Sequence, residues 1–162
     1  VDLEANKALV RRHLDEAINR RQSHLWTEIM SEDFDLHHRL VPAGRDGYVA
    51  AIDILWQAFP DMSIELLDLV AEGDRVVARY IDRGTHLGEF MGIPPTGRTY
   101  EKHGFAMYRI AGARLAEAWT QEDDLAFQTQ LFGPAEEWPT RTCQIPVRQR
   151  VGGGGYYRKY VR

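Results

Sequence analysis

Behind a run that alternates like a strand, the chain places three acids in a row, Glu122-Asp123-Asp124. A carboxylate held there can remove a proton beside a carbonyl and later return it to an alkoxide, provided an apolar surrounding raises its pKa. Strand alternation sends neighbours to opposite faces, so only one of Asp123 and Asp124 faces a cavity. Three consecutive acids also describe a solvated strand end. His103 lies six residues before Arg109, on the same face of one strand, and is a candidate acid partner or carbonyl polariser. A histidine packed and satisfied in a sheet carries the same signature. His37-His38 with Asp35 superficially suggests a metal site, but no other residues supply ligands at suitable spacing and no metal is expected. There is no glycine-rich phosphate loop, Ser-His-Asp order or dinucleotide fingerprint.

These residues need elements to hold them. From 6 to 21 the apolar residues Leu9, Val10, Leu14, Ala17 and Ile18 recur at helical spacing against a charged face, which predicts an amphipathic helix. A short helix near 25–30 follows, then a short strand at 34–37. Asp46 is an N-cap candidate for a third helix over 48–59, which Pro60 ends. The rest reads as strands at 62–71, 75–90, 98–110 and 114–122, with a closing helical turn at 125–131. Gly84 and Gly88 inside the long second strand mark a bulge or bend. Helices first and an antiparallel meander after them mean an α+β fold, a curved antiparallel sheet wrapped around N-terminal helices with a pocket between. Trp26, Phe34, Trp56, Phe59, Phe90, Met91, Phe105, Met107 and Trp119 are the expected pocket and core wall, suited to a flat apolar substrate.

The 162 residues suit one domain, and 44% apolar with 27% charged content is ordinary for a globular protein. A net charge of −4 argues against a nucleic-acid partner, and no apolar run is long enough to span a membrane. The first residues lack the pattern of a signal peptide, and the single Cys143 excludes an internal disulfide, so a cytoplasmic location is expected. A single folded domain is expected over 1–132. Residues 133–162, with a run of four glycines and a basic end, read as a partly flexible C-terminal extension.

Several stretches carry a resemblance, among them Glu72-Gly73-Asp74-Arg75-Val76-Val77-Ala78-Arg79 and Arg109-Ile110-Ala111-Gly112-Ala113-Arg114-Leu115-Ala116. The others are Ala58-Phe59-Pro60-Asp61-Met62, then Gly84-Thr85-His86-Leu87-Gly88-Glu89-Phe90-Met91-Gly92-Ile93-Pro94-Pro95-Thr96-Gly97-Arg98, then Glu117-Ala118-Trp119 followed by Asp123 and Gln130-Leu131. Over roughly 6–131 the chain resembles the SnoaL-like polyketide cyclases, whose cone fold is similar to that of ketosteroid isomerase and scytalone dehydratase. The resemblance implies ring closure of a polyketide by intramolecular aldol condensation, with no metal or organic cofactor. It implies an aspartate base four residues after the Trp, here Asp123, and makes His86 a candidate donor to a substrate oxygen. His37 is implied as an orienting or pocket-lining residue, and Arg79 and Arg109 as strand arginines. Pairing of Arg79 with Asp123 would weaken that base. A homodimer or larger assembly through the sheet is also implied. Within the same cone, epoxide opening, hydroxylation and non-catalytic ligand binding are the alternative readings.

Overall fold

The computed structural model describes residues 2–38 and 40–134, and the C-terminal extension from 135 onward lies outside the described residues. Asp2 caps the first helix by accepting from the Ala5 N–H at 3.0 Å, and α1 runs Leu3–Arg12. The helix then widens into a π-helical stretch, His13–Asn19. Its last residue reaches across to the sheet. The Asn19 side-chain amide donates to the Ile64 carbonyl at 2.8 Å and accepts from the Ile64 N–H at 2.7 Å, pairing as a strand residue would. A single 3-10 turn, Ser23–Leu25, leads into the short α2, Trp26–Ile29. α3 spans Arg45–Ala58 and ends before Pro60, as proline requires.

Five strands form one sheet. They are β1 Met30–Leu36, β2 Ser63–Glu72, β3 Arg75–Thr85, β4 Thr99–Ala111 and β5 Arg114–Glu122, in the order β1-β5-β4-β3-β2. The four-stranded meander is therefore extended by β1, which runs parallel to β5 and closes the far edge. The predicted strand over 75–90 stops at Thr85. Beyond it the backbone turns back on itself, His86 N–H bonding Arg98 O and Gly97 N–H bonding His86 O. α4, Asp124–Phe132, closes the chain's described part.

The fold is α+β, a curved sheet with the N-terminal helices on its concave side. Period-two alternation sorts its residues. Val76, Ala78 and Tyr80 of β3, Tyr100, Ala106 and Tyr108 of β4, and Ala118 of β5 are buried against Val10, Leu14, Trp26, Phe34, Phe59 and Leu131. No helix among the described residues is long and apolar enough to cross a membrane.

Candidate functional site

The register of β3, β4 and β5 brings five polar side chains together on the concave face. Asp82 pairs with Lys102, and Tyr80, Gly104 and Glu122 share the next row. Tyr80 donates its hydroxyl to Glu122 Oε1 at 2.7 Å, and Lys102 Nζ donates to Glu122 Oε2 at 2.7 Å. The same ammonium stands 3.6 Å from Asp82, which also accepts from the Tyr100 hydroxyl at 2.9 Å. Gly104 makes this approach possible, because a Cβ there would stand 2.9 Å from the Tyr80 ring and 3.0 Å from Glu122 Cγ. Lys102 lies 5.0 Å from the centroid of Phe127, a cation over an aromatic face.

Burial sets the electrostatics. Removal from water pushes Asp82 up to about 6, against the opposing pull of Lys102 and the Tyr100 hydrogen bond. Burial pulls Lys102 down, but the Glu122 and Asp82 charges more than reverse this and its pKa lies above the ordinary value. Tyr80 and Tyr100 are raised, first by burial and then by the neighbouring carboxylates, and stay protonated donors.

A second polar group sits on the helix side. His13, at the start of the π-helical stretch, is fully buried between Trp26, Tyr48 and Tyr108, with ring centroids 5.6 to 5.8 Å away. Its Nε2 lies 3.1 Å from the Tyr48 hydroxyl, while Nδ1 and the Trp26 indole N–H have no partner among the described residues. Desolvation pushes His13 down to about 3, so the ring is neutral at ordinary pH. Tyr108, on the same face of β4 as Lys102, packs edge-on against the His13 ring. A surface hollow of about 590 Å³ bordered by Glu32, Asp33, Ala43 and Gly44 touches neither polar group.

Of the residues singled out in the sequence, Trp26, Phe34, Trp56, Phe59 and Phe90 line this interior. Met91 lies in the 86–98 loop with φ at 53° and is half-buried. Others are corrected. Phe105, Met107, Trp119, His103 and Arg79 share the outer face, since each lies one residue out of step with the buried positions of its strand. Phe105 is 53% exposed. His103 bonds Glu101 at 3.2 Å, and Arg79 pairs with Asp68 and not with Asp123. His37 stacks on Trp119 at 4.5 Å and bonds Glu117, which also takes Arg109. Asp123 is exposed and caps α4, accepting from the Ala126 N–H at 3.0 Å, because the chain leaves the strand at Glu122. Asp124 is exposed in the first turn of that helix. His86 is buried against Phe59 and Phe132. The Thr96 N–H donates to its Nδ1, which leaves the proton on Nε2, an atom with no partner among the described residues. Sequence reasoning missed His13, Tyr48, Tyr80, Asp82, Tyr100, Lys102 and Glu122. Alternation along β4 between Tyr100 and Tyr108, which share a face, was the available signal for Lys102. No group of three or more His, Cys, Asp or Glu able to hold a metal occurs among the described residues.

The curved sheet over N-terminal helices is the cone fold of the SnoaL-like proteins. The chain belongs to the SnoaL-like polyketide cyclase family, whose model matches residues 8–131. It is 29% identical over 132 residues to the aklanonic acid methyl ester cyclase DauD of Streptomyces sp. (strain C5), covering 73% of this chain and 80% of that protein. Among solved structures, TsrD from Streptomyces laurentii superposes with a TM-score of 0.75 at 28% identity, covering 83% of this chain and 99% of TsrD. IdmH from Streptomyces antibioticus superposes with a TM-score of 0.68 at 30% identity, covering 77% of this chain and 96% of IdmH.

Proposed function

We propose that this chain is a ring-closing enzyme acting on a ketone-bearing, polyketide-like small molecule. An aspartate or glutamate removes a proton beside a carbonyl, the enolate carbon adds to a second carbonyl of the same molecule, and the acid returns the proton to the new alkoxide. The reaction is an isomerisation and needs no cofactor. Family membership and the likeness to aklanonic acid methyl ester cyclases support this reading. The observation that carries it is a pair of carboxylates on the concave face that share the Lys102 ammonium, Glu122 held by Tyr80 and Lys102, and the buried Asp82 held by Tyr100. A flat aromatic substrate suits an interior rich in aromatic side chains such as Trp26, Phe59 and Phe127. The test is incubation of the full chain with aklanonic acid methyl ester, separating the ring-closed isomer by retention time and identifying it by NMR. A rate above the uncatalysed one is expected, and no acceleration sinks this substrate class.

A second reading is epoxide opening by water, favoured by one observation: two carboxylates share the Lys102 ammonium. One carboxylate would take a proton from water while an acid protonates the epoxide oxygen. Hydrolysis of an aryl epoxide without ring closure of the ester would select it.

A further inference from the structure

We propose that Glu122, and not its neighbour Asp123, is the carboxylate that moves the proton in this cone, with Lys102 as its positioning residue. The inference rests on the ring-closing reading above. It begins with the face each side chain occupies. Glu122 stands opposite Gly104 on the concave side, whereas Asp123 lies past the strand with its carboxylate on the Ala126 N–H.

The surroundings of Glu122 are built for it. Gly104 leaves the gap across which the Tyr80 hydroxyl reaches Oε1, and Lys102 holds Oε2, so the carboxylate is fixed at both oxygens. Each oxygen still has a second lone pair for an incoming proton. A carboxylate locked to an ammonium is ordinarily a poor base. Here Lys102 is shared between two acids, 2.7 Å from Glu122 and 3.6 Å from Asp82. Glu122 is also the more open acid, its side chain 22% exposed against 9% for Asp82.

In the step itself, Glu122 takes the proton from the carbon beside the carbonyl and the C–H electrons become the enolate. The enolate carbon bonds to the second carbonyl carbon, whose C=O electrons move to oxygen. The Glu122 carboxylic acid then protonates that alkoxide, and the carboxylate is restored. The Tyr80 hydroxyl, already bonded to the carboxylate, keeps it oriented through the cycle.

Two probes test this, aklanonic acid methyl ester and 5-nitrobenzisoxazole, a flat carbon acid that reports any base in an apolar site by releasing a coloured phenolate. Glu122→Gln should lower kcat on both by about 100-fold or more. Glu122→Asp, which keeps the charge on a shorter arm, should fall between. Asp123→Asn preserves the helix cap and should stay within about twofold of the parent. Lys102→Met should move the acid limb of the pH–rate profile to higher pH, and Lys102→Arg should restore it, which a purely structural lysine would not do. Thermal melts and circular dichroism establish that each variant is folded. Loss of activity in Asp123→Asn with activity kept in Glu122→Gln overturns the inference, as does an absence of base-catalysed turnover on either probe. Glu122-dependent turnover of the benzisoxazole with no ring closure of the ester supports the base assignment and refutes the substrate class alone.

Discussion

Acid should expose the neutral state of His13 as a stability term with a defined pH window. Its pKa is lowered from 6.5 to about 3 by complete burial. The unfolded chain therefore takes up a proton at this residue well above the pH at which the folded one does. Stability from the neutral ring is fully present above 6.5 and is lost as pH falls from 6.5 toward 3. Between pH 7 and pH 5 that loss amounts to about 2 kcal/mol. Asp82 works in the other direction. Its folded pKa is raised from 3.8 to about 6, so its contribution is fully present below 3.8 and is lost as pH rises through 6. Acidification thus strengthens one group while it weakens the other, and the parent curve alone is flattened. The informative quantity is the difference between the parent and His13→Gln, whose amide offers Tyr48 a partner without titrating. Urea unfolding at pH 7, 6 and 5 should show the variant gaining on the parent by about 2 kcal/mol across that range. Curves that stay parallel within about 0.5 kcal/mol would refute a His13 that is buried and neutral.

Gly104→Ala should place a methyl against Tyr80 and Glu122, cost about 1–3 kcal/mol in denaturant unfolding and reduce turnover with it. Asn19→Ala removes both bonds to Ile64 and should cost about 1–3 kcal/mol, with faster amide exchange at Ile64 read by NMR. Val70, Val77, Met107 and Trp119 form one apolar row across the outer sheet, flanked by the Glu72, Arg75, Arg109 and Glu117 row. Light scattering on the full chain should give a homodimer through that face, and Phe105→Arg should shift it toward monomer.

The elements were largely legible, because helical spacing in α1 and α3 and alternation in the strands follow directly from what must be buried. β1 was read as a strand, but its partner was not, since a parallel pairing with β5 leaves no local turn to announce it. The site was less legible for one physical reason. Between Arg109 and Ile110 the β4–β5 register shifts, so Arg109 faces Glu117 while Ile110 faces Leu115. Counting back from the Gly112-Ala113 turn without that bulge puts Glu122 opposite His103 on the outer face. With it, Glu122 stands opposite Gly104 inside. Asp123 comes from the resemblance, which carries no register, and nothing local in the sequence announces the extra residue that turns Glu122 inward. Phe105, Met107 and Trp119 were placed in the cavity because they are large and apolar, a property that the two faces of this sheet share. His13 was passed over although it shares the helical spacing of Val10, Leu14 and Ala17, because a polar residue does not register in an apolar pattern.

The parallel pairing of β1 with β5 also governs how the chain is made. On the ribosome Met30 emerges early and Leu115, its partner, late, so the first strand waits unpaired while β2, β3 and β4 zip by local hairpins. Until β5 arrives, the edges of β1 and β4 are open to other chains, and nothing local can relieve them. Closure is then a long-range event, which must bring together residues about 85 positions apart, the separation of Met30 and Leu115.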